Sequence, residues 1–207
     1  MLGSGSVGTD PVEARSKGEQ TRATILETAI ERFGRAGYRA VSVAEIARAV
    51  GVGAPAVFSY FPSKEALFLA ALDQDAGEVM QRALLSIAPD ANPADWREQL
   101  ALTLVTVIEG HPLAERVLSG LEPRVTDRVL DLGALDRLTA AVAERLRHEQ
   151  QLGLVRPDID PEPIASGIIT ILIALLMGVL QFGPRSIDRF RDGVLAVFAA
   201  ALDAPPT

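Results

Sequence analysis

Residues 42–67 read SVAEIARAVGVGAPAVFSYFPSKEAL, and this stretch decides the fold. Ser42-Val-Ala-Glu45 is a capping box: the serine hydroxyl satisfies an early helical amide and the glutamate reaches back. Val43, Ile46, Ala47 and Val50 then fall on one side of a short helix. Gly51 breaks it, supplying a backbone angle that side chains resist. Pro55 suits a first helical turn, and Val57 and Phe61 lie one turn apart. Two short helices joined by a glycine turn make a helix-turn-helix. Ala47 is small where the second helix crosses, while Ile46, Val50, Val52 and Val57 fill the angle between the helices. Ser63-Lys-Glu-Ala66 caps a further helix starting at about Lys64.

Upstream, Ser16-Lys-Gly-Glu19 repeats the capping pattern. Leu26, Ala29, Ile30 and Phe33 follow at i, i+3, i+4 and i+7, one buried helical face. Gly37 can end that helix in a left-handed turn. Residues 1–15 are expected to form a disordered tail, with no basic region leading into an apolar one as in a secretory signal. Gly3, Gly5 and Gly8 match GxGxxG formally, but no strand precedes them. Gly51-Val-Gly53-Ala-Pro-Ala56 fails as a phosphate loop for the same reason.

The whole chain has 207 residues and a formal net charge of -7, which argues against a simple polycationic nucleic-acid binder. Residues 1–66, however, hold eight basic and seven acidic side chains, whereas the remainder holds twelve and twenty. The acidity sits outside the helix-turn-helix unit. The chain has no cysteine and two histidines, His111 and His148. Disulfides, thiolate metal sites and a cysteine nucleophile are therefore excluded. No cofactor or metal is expected. Spacing alone leaves two readings open, a DNA-binding head and a helical subdomain with another role.

The residues carry a resemblance that narrows this. Thr24-Ile-Leu, Ala29, Phe33 and Gly37-Tyr38, then Ser42-Val-Ala-Glu-Ile-Ala47, Gly51-Val52 and Val57-Phe-Ser-Tyr-Phe-Pro-Ser-Lys-Glu-Ala-Leu67, resemble the TetR family of one-component transcriptional repressors. The similarity covers about fifty residues. It implies an all-α chain with an N-terminal three-helix DNA-binding domain over 16–66. An effector-binding and dimerisation bundle over 67–203 follows, then a short tail at 204–207. It also implies a set of DNA contacts. Ser42 and Val43 start the second helix near phosphate, and Ala54, Pro55 and Ala56 face base edges. Ser59 and Tyr60 reach phosphate or outer edges, Lys64 binds phosphate, and Arg22 adds a backbone contact. Phe58 stands where the family usually carries a tyrosine. Ala54 and Ala56 can touch thymine methyls but offer no bidentate base contact, so shape readout is expected to carry more weight.

The C-terminal part reads as helices over about 64–87, 93–109, 124–151, 164–182 and 186–202. Residues 164–182, IASGIITILIALLMGVLQF, carry no charge and match a membrane span in length. An amphipathic helix follows, with Ile187, Phe190, Val194, Val197, Phe198 and Leu202 on its apolar side. The pair reads as two helices of a bundle, the first buried all round. Ser166, Thr170, Ala174 and Gly178 form a small-residue stripe that lets another helix approach closely. The dimer interface is expected there, together with Phe190, Val194, Val197 and Phe198.

The resemblance further implies a small-molecule effector that favours a DNA-incompetent dimer. Expected cavity residues are Met80, Trp96, Leu100, Thr103, Val107, His111, Leu138, Val142 and Met177, although ordinary core packing is the commoner role for each. His111, before Pro112, reads as a cap or surface residue. His148 reads as solvated. The effector is expected to be apolar or amphipathic. The reading is a cytoplasmic homodimer that binds an inverted-repeat DNA operator and does not enter a membrane. It is not an enzyme, since no GxSxG, HExxH or Walker-type pattern occurs. The alternatives are an all-α enzyme with scattered carboxylates and a single-span membrane-associated protein built around 164–182.

Overall fold

The computed structural model describes residues 17–85, 93–123, 133–183 and 185–203. These residues are all-α. The elements are α1 Lys17–Ala40, α2 Val43–Val50, α3 Ala54–Tyr60, α4 Lys64–Leu85 and α5 Pro93–Val107. A 3-10 turn, Ile108–Gly110, leads to α6 Pro112–Leu118, α7 Gly133–Gln151, α8 Pro161–Phe182 and α9 Arg185–Leu202. Ser16 and the first part of the helix expected over 124–151 lie outside the described residues.

The head follows its local code. Glu45 N–H donates to Ser42 Oγ at 3.2 Å and Ser42 N–H donates to Glu45 Oε2 at 2.8 Å, so the capping box is complete. Gly51 closes α2 at φ 80°, ψ 26°. Its Cβ-free αL geometry lets the chain turn at once into α3. Ile46, Ala47 and Val57 are buried in that angle, while Val50 and Val52 are half-buried. Gly37 breaks α1 at φ 85°, and the helix resumes for its last residues. Ser63 caps α4 by accepting from Ala66 N–H at 3.0 Å.

No gap separates head from body. α4 runs through position 66 unbroken, and α1 packs on both α4 and α6. One hydrophobic core extends from Ile25 in α1 to Leu202 in α9. The head's movement is therefore tied to α4 and α6, the two elements that the rest of the bundle holds.

Within one chain α8 is buried on one side only. Only Ala165, Ile168, Ile169, Leu172 and Leu176 are buried; Ser166, Thr170 and Ala174 are exposed. Asp160 caps the helix by accepting from Glu162 N–H. One chain covers a single side of this charge-free helix, so a uniformly apolar sequence does not mean all-round burial by its own fold.

Candidate nucleic-acid interface and effector cavity

The exposed edge of α3 carries Pro55, Ala56, Phe58 and Ser59, with Ala54 half-buried beside them. Phe58 is 47% exposed although α3 has a buried side available at Val57. A large ring left in water on this helix is a surface feature that the sequence-derived site omits. Ser59 Oγ donates to its own helix, to the Ala56 carbonyl at 2.7 Å. Tyr60 is half-buried and packs against the core. The edge contains no charged residue and offers methyl, ring and hydroxyl groups.

The expected phosphate residues surround this edge with different degrees of freedom. Val43 is buried, which leaves only its backbone amide for a phosphate. Ser42 Oγ both accepts from Glu45 N–H and donates to Glu45 Oε2 at 2.9 Å, so its hydroxyl is engaged by the cap. The Ser42 backbone N–H and hydroxyl together hold the Glu45 carboxyl below the usual range. Lys64 Nζ lies 3.5 Å from the Arg39 carbonyl and 4.6 Å from the Tyr38 ring centroid. That ring and carbonyl orient the ammonium without neutralising it. Arg22 lies across Phe61, 5.1 Å from the ring centroid. Arg39 and Arg48 are exposed on the head as well.

In the body, an apolar cavity lies between α4, α5, α6, α7 and α8. Leu72, Met80, Leu104, Leu138, Ile169 and Leu176 are among the side chains that line it. Of the expected cavity residues, Met80 and Leu138 are brought together there. The others are not. Leu100, Trp96 and Val142 are buried in core contacts away from its wall, and Thr103, Val107 and Met177 are half-buried outside it. Position along α5 separates them: Leu104 reaches the cavity, while Leu100, one turn earlier on the same buried face, packs beyond its wall.

His111 holds the N-cap position of α6, without a side-chain cap bond, but its reading as a surface residue is corrected. Its ring is 3% exposed, and Nδ1 lies 2.8 Å from Asp75 Oδ1. Asp75 Oδ2 accepts from Leu113 N–H at 3.0 Å and Ala114 N–H at 2.9 Å. Asp75 of α4 therefore caps α6 from outside, satisfying amides the helix cannot satisfy itself. A carboxylate only accepts, so the proton sits on Nδ1 of the imidazole. Sequence spacing contains no trace of this contact, which joins residues 36 apart.

The expected dimer residues fall into three groups. Ser166, Thr170 and Ala174 lie exposed along α8, and on α9 Phe190 and Val197 are 50% and 55% exposed. Gly178 is half-buried, with Ser186 Cβ 3.9 Å from where its Cβ would stand, and Val194 is half-buried. Phe198 is buried, 3% exposed, on the side of α9 that faces α5 and α8; it belongs to the chain's own core. Among the described residues no group of histidine, aspartate and glutamate side chains has the arrangement of a metal site.

Comparison with known proteins agrees with this architecture. Residues 25–71 match the family model described as bacterial regulatory proteins, tetR family. The HTH-type transcriptional repressor AcnR of Corynebacterium diphtheriae is 28% identical over 191 residues, covering 88% of this chain and 93% of that one. An uncharacterized HTH-type transcriptional regulator of Bacillus subtilis, YuxN, is 35% identical over 86 residues, 41% of this chain and 30% of its own length. A crystal structure described as a tetR family transcription regulator from Shewanella sp. PV-4 superposes with a TM-score of 0.63. It is 26% identical and covers 89% of this chain and 99% of its own.

Proposed function

We infer, from the membership of this chain in the TetR family of transcriptional regulators, that it is a cytoplasmic repressor acting as a homodimer. Residues 16–66 form the reading head, and 67–203 form the effector-binding and dimerisation bundle. Two heads related by a two-fold axis read an inverted repeat. Within each head, Ala54, Pro55, Ala56 and the exposed Phe58 face base edges. Val43 through its backbone amide, with Ser59, Tyr60, Lys64 and Arg22, holds phosphates, while Ser42, whose N–H and hydroxyl are both given to Glu45, fixes the start of α2 beside them. A small apolar or amphipathic effector fills the body cavity and favours a head separation that no longer fits DNA.

One observation carries this reading. α4 begins at Lys64 beside the reading edge and continues to Leu72, Ala76 and Met80 in the cavity wall. A ligand that shifts α4 shifts the head. The test is selection of bound duplexes from a random pool with the purified protein, followed by gel retardation. A two-fold symmetric motif with T-rich half-sites is expected; the absence of any retarded motif sinks the reading.

α8 supports a rival, because Pro161–Phe182 is long and apolar enough to cross a membrane, and only 33% of its most apolar window is buried. Fractionation separates the two. Recovery from the detergent-free supernatant supports the second-copy reading of that face, and recovery only from the membrane pellet supports the rival.

A further inference from the structure

A second cleft lies between α5, α8 and α9, on the other side of Leu172 and Leu176 from the body cavity. Its wall is apolar and, Phe198 apart, aliphatic, with Leu102, Val105, Leu175 and Val179 among the lining; three charged residues, Arg97, Glu98 and Arg191, complete it. Glu98 and Arg191 answer each other, with Arg191 Nε 3.5 Å from Glu98 Oε1. Arg97 meets its carboxylates, Glu149 and Asp203, only at 3.7 and 3.9 Å. It is 3% exposed, yet its Nε and Nη2 hydrogens meet no acceptor.

The neighbours explain why. Glu149, buried beside it, gives its Oε1 to Arg145 Nε at 2.6 Å. The Glu149 Oε2 atom stands 3.7 Å from Arg97 Nη2, beyond hydrogen-bond reach, and is itself without a donor. Asp203 is 3.9 Å from Arg97 Nη1 and 60% exposed. Two guanidinium groups thus share one buried carboxylate, with a solvated second one at the rim. Burial presses the Arg97 guanidinium below its ordinary range, with Glu149 and then Asp203 opposing. A buried cation with idle donors is costly unless an anion completes it.

We propose that this cleft binds an amphipathic anion, its aliphatic tail among Leu102, Val105, Leu175 and Val179 and its carboxylate accepting from Arg97. Arg97 presents a planar fork suited to a carboxylate. The tail class follows from the wall, which beyond the charged end is apolar and, Phe198 apart, aliphatic. The proposal adds a site to the effector reading and rests on that reading only for its regulatory consequence, not for binding.

The test is isothermal titration of the full chain with decanoate, 1-decanol and decyltrimethylammonium. Decanoate is expected to bind saturably, about tenfold or more tightly than decanol, the worth of one charge-assisted hydrogen bond. The cation is expected not to bind. Arg97→Met should bring decanoate down to the level of decanol. Leu175→Trp, at a half-buried wall position, should block decanoate even if the Arg97 variant fails to fold. Equal binding of decanoate and decanol, no binding of either, or undiminished binding by the Leu175→Trp protein overturns the proposal. Operator retardation of the ligand-free protein, run alongside, fails only if the regulator reading itself is wrong.

Discussion

Asp75 on α4 and His111 ahead of α6 form a buried pair, Oδ1 to Nδ1 at 2.8 Å, while the other Asp75 oxygen holds the first free amides of α6. This one side chain fixes where α6 begins and how it lies on α4. Asp75→Ala leaves two helical amides and an imidazole N–H buried without acceptors. Unfolding free energy should fall by about 3 kcal/mol or more, read as a lowered urea midpoint. A loss within about 0.5 kcal/mol, the scale of a surface change, would mean that α6 is held elsewhere.

The same seat makes Gly34 sensitive. A Cβ built there would stand 2.8 Å from Pro112 Cβ, 2.9 Å from Pro112 C and 3.0 Å from Leu113 N. Two of those atoms are backbone and cannot swing aside. Alanine favours a helix interior over glycine by about 1 kcal/mol. Gly34→Ala should nevertheless destabilise, because α1 must lift from α6 and overpacking costs about 1–3 kcal/mol. Thermal unfolding decides the sign: a raised Tm would show that α6 yields easily.

The capping box gives a pH dependence with a definite sign. Glu45 has its pKa lowered in the fold, first by the Ser42 backbone N–H and then by the Ser42 hydroxyl. A depressed carboxylate contributes stability that is present above its unfolded pKa and lost as pH falls through the folded value. Urea midpoints taken from about pH 6 downward through about pH 3 should therefore decline less steeply in Glu45→Gln than in the parent chain. Identical profiles would remove Glu45 from the pH response.

Lys64 tests the phosphate assignment. Lys64→Ala should weaken operator and random duplex to a similar degree and reduce the salt slope by about one per head. Folding should change little, since the residue contributes a cation–π contact and a marginal 3.5 Å hydrogen bond. Filter binding across a salt series reads both quantities. A loss confined to the operator would instead make Lys64 a base-reading residue.

What could be read from the sequence was what short spacing controls. Ser42 and Glu45 are three residues apart, Gly51 closes its own helix, and Val57 meets Ile46 across that turn. The buried state of His111 was not readable, because it depends on a carboxylate 36 positions earlier. The same holds for the cavity: Leu100 and Leu104 share one face of α5, and which of them reaches it depends on the height at which α5 lies against α8, which period alone leaves free. Phe198 and Phe190 share an apolar stripe in sequence, yet one closes the core and the other meets solvent. In α8, an unbroken apolar run fixes the need for cover without saying which chain supplies it.

Ala174 is exposed between Thr170 and Gly178 on α8, and half-exposed Phe190 and Val197 extend an apolar surface on α9. Water on such a surface is unfavourable at about 25 cal/mol per Å². A second copy placing the same face against it removes both surfaces at once, and small residues allow close approach. Ala174→Arg leaves the chain's own core untouched, since the position points away from Leu172 and Leu176. In a two-fold interface it sets two guanidinium groups against each other, with a penalty of several kcal/mol, or at least about a hundredfold in dimer dissociation. Light scattering behind size exclusion should then give a monomer mass for the variant and twice that for the parent. The helical circular dichroism should be unchanged, and operator retardation should be lost with the dimer. A variant that remains dimeric places the two-fold contact on another face.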